Sequence, residues 1–345
     1  MDDAANTKLT HLSPVDESTD GRPPEVIARE AREWHDILAS YIDNNDTWLS
    51  APWLVTEFYA YRRVIEAIGY YDKSNPETYL WDPFVVAKRA GLDSSVKSAE
   101  NMLEKIVSLP HTKEGVALAA AFALWGNKMD LSIWPADAEN SSLDVFANIL
   151  HAADENLLHD DTSILTEHCE KLRERGDGRI DIIVDNAGFE LVTDLALADH
   201  LVASGVAQVV TFQLKSHPTF VSDALEKDLQ ETVDHYAALS EEKFPNAKEA
   251  GLVSFRNAQE KNTLTSIDFS DFVYSICCSL FPFQRWQKYL DEGKWVCNED
   301  NFWVQPSPMW EMPDPLRSDM KDRCDLAFVK GDANYRRLLG DRYVN

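Results

Sequence analysis

The chain has 345 residues, of which 44% are hydrophobic and 27% are charged, as in ordinary globular proteins. Its formal net charge of −26 argues against a nucleic-acid partner, because an acidic surface repels phosphate backbones. No apolar run reaches the roughly 20 residues of a membrane-spanning helix, and residues 1–20 lack a signal-peptide pattern, so we expect a cytoplasmic protein with no membrane partner.

A polar N-terminal segment precedes a helical lobe. Residues 1–24 show no hydrophobic periodicity, which predicts a mobile tail. Over residues 25–175 apolar side chains recur at three- and four-residue spacings, as in amphipathic helices. The predicted helices of this lobe are 26–42, 53–68, 83–90, 94–108, 113–125, 142–151 and 164–175.

The periodicity changes after a glycine-containing turn at residues 176–178. The predicted strands that follow are 179–184, 206–214, 251–255 and 325–329. The predicted helices between and after them are 190–204, 220–240, 272–289 and one that starts near residue 332. Strands that alternate with helices favour a mainly parallel, doubly wound sheet. We therefore predict an α/β domain over residues 176–345, beside the helical lobe.

Oxygen-bearing side chains follow the first two predicted strands of this domain. Asp185 and Asn186 come directly after the first strand, and Asp223 follows the second. The carboxyl ends of parallel strands meet at one edge of a sheet, where ligands usually bind. Carboxylate and amide oxygens suit hard divalent ions, so these residues are candidate metal ligands and catalytic groups. The alternative is that Asp185 and Asn186 only cap the next helix.

The last predicted strand is followed by a polar segment that could grip a phosphate. Lys330, Asp332, Asn334 and Arg336 lie close to a predicted helix start, where free backbone N–H groups also attract anions. A charged, solvent-exposed loop is the alternative interpretation, and the local sequence does not favour either one.

Other polar residues are candidates for supporting roles. Lys215 could contact a phosphate and His217 could carry a proton, although a single histidine is more often structural. In the helical lobe, Glu57 could face a cleft, or it could belong to an ion-paired helix face. Asn127 and Asp130 could also face a cleft, or they could belong to the C-terminal stop of a helix. The full candidate set is Glu57, Asn127, Asp130, Glu190, Lys215 and His217.

Several common motifs are missing. The sequence has no G-x-x-x-x-G-K-[ST] loop, no G-x-G-x-x-G after a strand, no H-E-x-x-H and no G-x-S-x-G. Nucleotide binding and serine-type hydrolysis therefore lose support. The five cysteines lack C-x-x-C spacing, which predicts reduced thiols.

Four segments in register, residues 125–132, 185–190, 215–223 and 330–336, resemble the metal-dependent damage-control phosphatases. The similar branch of that family includes acidic-residue methyltransferases and fungal sugar phosphate phosphatases. The resemblance runs from about residue 53 to the end of the sequence. It implies a Rossmann-like α/β/α three-layer domain packed against an N-terminal helical lobe.

The resemblance also implies a cofactor, a substrate and site residues. Mn²⁺ is the expected ion at Asp185, Asn186 and Asp223, with Ni²⁺, Co²⁺ or Mg²⁺ as alternatives. The implied reaction is hydrolysis of small sugar phosphates such as fructose 1-phosphate and fructose 6-phosphate, as metabolite damage control. The implied substrate contacts are the three metal ligands together with Asp332, Ala333, Asn334, Tyr335 and Arg336.

Two other functions remain as alternatives. S-adenosylmethionine-dependent methylation of protein carboxyl groups, such as those of glutamate, ranks lower because no glycine-rich cofactor loop follows a strand. A catalytically inactive sugar-phosphate-binding protein is the third hypothesis. It follows from a departure from the branch, whose members continue past the region of residues 340–342 to an Arg-Thr-x-Lys motif with a substrate-binding lysine. This sequence ends at Asn345 without that motif.

Overall fold

The structure is a computed structural model that describes residues 6–107, 109–125, 157–243 and 283–342. Within these ranges no helix combines the length and the apolar composition needed to cross a bilayer. Some predictions lie outside the described residues. They are the helix at 142–151, the strand at 251–255, the first part of the helix at 272–289, and the candidates Asn127 and Asp130.

The first two helices, α1 (Pro24–Asp43) and α2 (Trp53–Ile68), form a small core of their own. Both begin next to a proline, whose fixed φ suits a helix start. Helix α2 ends at Gly69, which adopts the left-handed conformation at a φ of 67°. The apolar faces of the two helices bury Trp34 and Phe58 in one shared cluster.

Residues 6–23, ahead of α1, pack onto these helices, whereas the sequence predicts a mobile tail. The side chain of Leu9 is only 3% exposed and belongs to the α1–α2 core. Its backbone N–H donates to the Asp46 carbonyl at 2.9 Å, and Arg22 forms ion pairs with Asp20 and Glu30. One apolar side chain and a few charged contacts are too sparse to produce a periodic sequence signal.

Within the described ranges, three further helices precede the sheet: α3 (Val85–Val107), α4 (Lys113–Trp125) and α5 (Thr162–Arg175). Helix α3 joins the predicted segments 83–90 and 94–108 into one element. Gly91 lies inside this helix, where a glycine is tolerated although it weakens helical propensity.

The sheet has four parallel strands: β1 (Arg179–Ile183), β2 (Val209–Lys215), β3 (Trp295–Asp300) and β4 (Leu326–Val329). Their order is β3-β2-β1-β4, so β1 lies between β2 and β4. This confirms the predicted α/β class with a parallel sheet. Strand β3 was missed because its C-terminal half, Asn298 to Asp300, is polar and carries no strand periodicity.

In the part of the chain that the structure describes, five helices connect or follow the strands: α6 (Phe189–Ala203), α7 (Glu226–Lys243), α8 (Phe283–Asp291), α9 (Leu316–Arg323) and α10 (Asp332–Leu339). Helix α7 begins at Glu226 rather than at residue 220. Phe220 and Val221 have φ values of 52° and 63°, which exclude a right-handed helix there. The loop that they shape carries Asp223.

The main hydrophobic core lies on one face of the sheet. Ile180, Ile182 and Phe212 from the strands pack in one cluster with apolar residues of α3, α4 and α6. This core therefore crosses the predicted domain boundary at residue 176. On the other face of the sheet, Ile183 packs in a cluster with Phe302 and with residues as far along the chain as α9. These residues form the third layer of the fold.

Candidate active site

The loops after β1 and β2 are joined by backbone hydrogen bonds. The N–H of Ala187 donates to the Ser222 carbonyl at 2.7 Å, and the N–H of Ala224 donates to the Asp185 carbonyl at 2.8 Å. Asn186 and Asp223 form an isolated antiparallel bridge between these bonds. The three predicted metal ligands are therefore neighbours.

These residues line a cleft of about 560 Å³ at the carboxyl edge of the sheet. Strand β2 follows β1 in the chain and pairs with one side of β1, while β4 pairs with the other side. Ligands of open α/β sheets bind at this kind of switch in strand order. The described polar residues that line the cleft are Asp185, Asn186, Glu190, Ser222, Asp223, Lys330 and Asp332.

Both carboxylates of the set carry raised pKa values. Burial, with the nearby Asp223 charge, raises the pKa of Asp185 to about 8. Burial raises the pKa of Asp223 to about 6, although the Lys215 ammonium 3.2 Å away acts in the opposite direction. Two acidic groups held this close in a desolvated site favour a bound cation, which would stabilise their charged forms.

Hydrogen bonds fix the Asn186 side chain. Its Nδ2 donates to Asp185 at 2.7 Å and to Glu190 at 2.9 Å, while its Oδ1 accepts from Ser222 Oγ at 2.6 Å. Helix α6 has Gly188 at its N-cap with no side-chain cap, so neither Asp185 nor Asn186 caps it. The helix-capping alternative is therefore wrong.

The donor set fits a hard divalent ion by its chemistry, since it offers two carboxylates and one amide oxygen. Within the described ranges no group of three or more His, Cys, Asp or Glu side chains is arranged to hold a metal. A metal at this edge would therefore depend on the mixed set of Asp185, Asn186 and Asp223 and would leave coordination positions for water and substrate.

Gly331 lets the end of β4 approach this set. It has a φ of 86°, and a Cβ at this position would overlap the Asp185 carboxylate. Only glycine satisfies both the left-handed backbone and the close approach. Helix α10 starts immediately afterwards without a side-chain cap, so its first N–H groups remain available to an anion in the cleft.

Lys330 lines the cleft, but carboxylates hold its ammonium group. Its Nζ lies 2.7 Å from Asp194 and 3.2 Å from Glu190, and its side chain is largely buried. Burial lowers the pKa of Lys330, but the two carboxylates outweigh this effect and raise it overall. Lys330 is thus a charged, positioned group at the wall of the site rather than a mobile surface lysine.

The predicted substrate segment divides into two parts. Asp332 and Ala333 line the cleft. Asn334 is fully buried and donates to the Lys330 carbonyl at 2.9 Å, so it supports the loop from inside. Tyr335 and Arg336 lie on the outer side of α10, about half exposed, and are not brought to the cleft lining.

The remaining candidates lie at different distances from the site. Lys215 contacts Asp223 directly, as described above. Glu57 does not line the cleft. Burial raises the pKa of Tyr61, and the charges of Glu57 and Asp223 raise it further. His217 is fully buried outside the cleft lining, and burial, together with the Arg62 charge, lowers its pKa to about 3. A neutral, buried imidazole does not suit the predicted proton carrier.

Asp194 and Trp53 are among the residues of the site that escaped the sequence prediction. Asp194, which holds Lys330, is fully buried in the middle of α6. The available signal was a charged residue between the apolar residues 191–192 and 195–198, because buried charges need partners. Trp53, at the first position of α2, lines the cleft, but its sequence context resembles that of any amphipathic helix.

The sequence is similar to curated proteins named damage-control phosphatase ARMT1. It is 30% identical to the Mus musculus protein over 90% of this chain and 64% of the relative, and 30% identical to the Homo sapiens protein over 90% and 65%. The Danio rerio protein is 28% identical over 91% of this chain and 66% of its own length. The chain thus spans about two thirds of the length of these relatives.

Comparison with solved structures finds a DUF89 family protein from Pyrococcus horikoshii, with a TM-score of 0.44 and 15% identity, over 92% of this chain and 79% of that chain. The profile of the damage-control phosphatase ARMT1-like domain matches residues 7–345. By this match over nearly its whole length, the chain belongs to the ARMT1-like damage-control phosphatase domain family.

Proposed function

We propose that this chain is a divalent-metal-dependent phosphatase of small sugar phosphates, including fructose 1-phosphate and fructose 6-phosphate. The observation that carries the proposal is the meeting of Asp185, Asn186 and Asp223 in the lining of the cleft. Family membership supports a metabolite-repair phosphatase, and the donor chemistry supports Mn²⁺ or a similar ion.

The metal would be held by Asp185, Asn186 and Asp223. When bound, a divalent cation supplies positive charge that offsets the charge on the phosphoryl oxygens. It would also reverse the local field of a protein with a net charge of −26, which otherwise repels anionic substrates.

The other residues of the cleft have roles that follow from their contacts. Lys215, which is 1% exposed, holds the Asp223 carboxylate in place. Lys330, fixed between Glu190 and Asp194, presents a second positive charge to the cleft wall. The uncapped start of α10 at Asp332 adds backbone N–H donors for phosphate oxygens. Together these groups orient the phosphate for transfer to water.

The test is a phosphate-release assay with the full chain after its metal has been removed. We expect turnover of fructose 1-phosphate when Mn²⁺ is added, and at least a hundredfold loss of turnover in Asp223→Asn. The matched control is Asp300→Asn. Asp300 also ends a strand of the sheet and pairs with Arg29 at 3.3 Å, but it does not line this cleft.

Two outcomes would contradict the proposal. One is turnover that is unchanged by metal removal or by Asp223→Asn. The other is a folded, Mn²⁺-binding protein that releases no phosphate from any sugar phosphate tested, which would leave a binding function only.

A further inference from the structure

Trp53 is one of three tryptophans in the described ranges that keep about half of their surface exposed. It is 49% exposed, beside 47% for Trp81 and 51% for Trp310, whereas Trp34, Trp286, Trp295 and Trp303 are at most 1% exposed. A tryptophan offers a large apolar area, and burial is the usual way to stabilise it. Of the three exposed tryptophans, only Trp53 is part of the cleft lining.

An arginine contacts this ring. The guanidinium carbon of Arg336 lies 5.1 Å from the centroid of the Trp53 ring, and Arg336 Nη1 donates to Asp341 at 3.0 Å. This cation–π contact joins the start of α2 to the outer side of α10 and favours the observed position of the indole.

The cleft lining combines acidic and apolar residues. Asp185 and Asp223 are among its polar members, while Trp53, Leu124 and Phe220 are apolar residues of the same lining. Leu124 is 54% exposed, so the apolar part of the lining also keeps area open to solvent. The volume of about 560 Å³ falls in the range of sites for whole small molecules, which exceeds what a phosphate group needs.

We propose that Trp53 is a specificity-determining residue that contacts the ring of the sugar portion while the phosphate binds near the carboxylates. This inference rests on the proposed phosphatase function and names the class of ester that the site selects. A cyclic sugar presents a face of C–H groups that packs against an aromatic ring, whereas a short acyclic ester such as glycerol 1-phosphate presents no such face. The apolar part of the lining thus favours ring-bearing phosphomonoesters.

The experiment compares Trp53→Ala with the full wild-type chain, using fructose 1-phosphate and glycerol 1-phosphate. We expect the KM for fructose 1-phosphate to rise about tenfold with kcat within about twofold, because a contact made equally in the ground and transition states affects KM alone. The KM for glycerol 1-phosphate should stay within about twofold. Trp53→Phe, which keeps an aromatic face, should give an intermediate KM for the sugar phosphate.

The matched control is Trp310→Ala. Trp310 is 51% exposed and also lies beside an arginine, with the Arg342 guanidinium carbon 5.2 Å from its ring centroid, but it does not line the cleft. We expect its removal to leave both KM values unchanged. Mn²⁺ binding measured by calorimetry for every variant reports whether the acidic part of the lining is intact.

Each outcome supports or overturns the role proposed for Trp53. Equal changes for both esters in Trp53→Ala, or no change for either, would overturn the inference. If Trp53→Ala fails to fold, equal KM values for wild type and Trp53→Phe on both esters would overturn it instead. If the wild-type chain hydrolyses neither ester, the proposed function fails. Binding of fructose 1-phosphate, measured by calorimetry, then tests the role of Trp53. Tenfold weaker fructose 1-phosphate binding in the variant supports the inference, and equal binding overturns it.

Discussion

At the residue scale, the approach of β4 to the Asp185 carboxylate depends on the missing side chain of Gly331. Its φ of 86° is one constraint, and the Asp185 carboxylate in the place of a Cβ is the other. A left-handed backbone alone costs an ordinary residue on the order of 1 kcal/mol. The carboxylate adds a second constraint, because any side chain at position 331 would force Asp185 to move.

We therefore expect Gly331→Ala to weaken Mn²⁺ binding at least tenfold and to lower the unfolding temperature. Gly176→Ala is the control, since Gly176 has a similar φ of 77° and a Cβ there would meet no atom within 4 Å. It should lower the unfolding temperature without affecting Mn²⁺ binding. Calorimetric titration and thermal denaturation measure the two effects, and equal Mn²⁺ affinity in both variants would contradict this account.

Glu30 makes a pH-dependent contribution to stability. Burial by itself would raise its pKa, but the guanidinium groups of Arg62 and Arg22 lower it to about 2, from an ordinary value of 4.5. A carboxyl with a depressed folded-state pKa contributes stability above pH 4.5, and this contribution is lost as the pH falls from 4.5 to 2. The contribution at neutral pH is on the order of 3 kcal/mol.

We expect Glu30→Gln to lower the free energy of unfolding at pH 7, and the difference from wild type to shrink steadily below pH 4.5. Urea denaturation at a series of pH values measures this difference. Glu25→Gln, an exposed change on the same helix, should differ little from wild type throughout. A Glu30→Gln difference that stays constant down to pH 2 would argue against the depressed pKa.

At this scale, the sequence predicted best the location of residues that directly follow the ends of strands. The proximity of Asp185, Asn186 and Asp223 was predictable because parallel strands place the residues after their ends at one edge. The contacts of Lys330 with Asp194, and of Arg336 with Trp53, were not predictable. They join residues far apart in the chain, and no local pattern records which buried charge meets which partner.

At the element scale, a buried lysine connects helices α3 and α7. Lys88 Nζ lies 3.0 Å from Asp82 and 2.7 Å from Asp228, and all three side chains are buried. Asp228 also accepts from the N–H of Leu225 at 2.9 Å, next to the loop that carries Asp223. The cluster thus anchors the start of α7, where the sequence prediction placed the helix boundary too early.

We expect Lys88→Met to lower the free energy of unfolding by about 3 kcal/mol, because it leaves two buried carboxylates without their main partner. Arg89→Met is the control on the same helix. Arg89 pairs with Glu231 at 2.6 Å on an exposed surface, where an ion pair contributes less than about 1 kcal/mol. Urea denaturation compares the two, and similar losses would show that burial does not decide the effect.

At the scale of the whole molecule, the sequence predicted the class of the fold better than its details. Alternating strands and helices correctly indicated a parallel sheet, since each parallel pair requires a crossover connection. The order β3-β2-β1-β4 was not available from the sequence, because strand order depends on which edges find partners in space. Likewise, apolar spacing could not show that one core joins α3 and α4 to the sheet.

The net charge of −26 is a property of the molecule as a whole, and it opposes the compact state through repulsion among surface carboxylates. We expect the unfolding temperature to rise when NaCl is added from low ionic strength to about 0.15 M, where the screening length falls to about 8 Å. A scan with sucrose at equal osmolarity controls for osmotic effects. A falling unfolding temperature would mean that attractive surface pairs outweigh the repulsion.

The strand order also has a consequence for how the protein is made. Ile180 of β1 pairs with Val210 of β2 and with Leu326 of β4, so its second partner is synthesised much later than the first. The wall formed by Lys330 and Gly331 therefore joins the cleft only after most of the chain has emerged from the ribosome. A nascent or prematurely terminated chain would thus hold Asp185 and Asp223 without the part of the cleft lining that Lys330 and Gly331 supply.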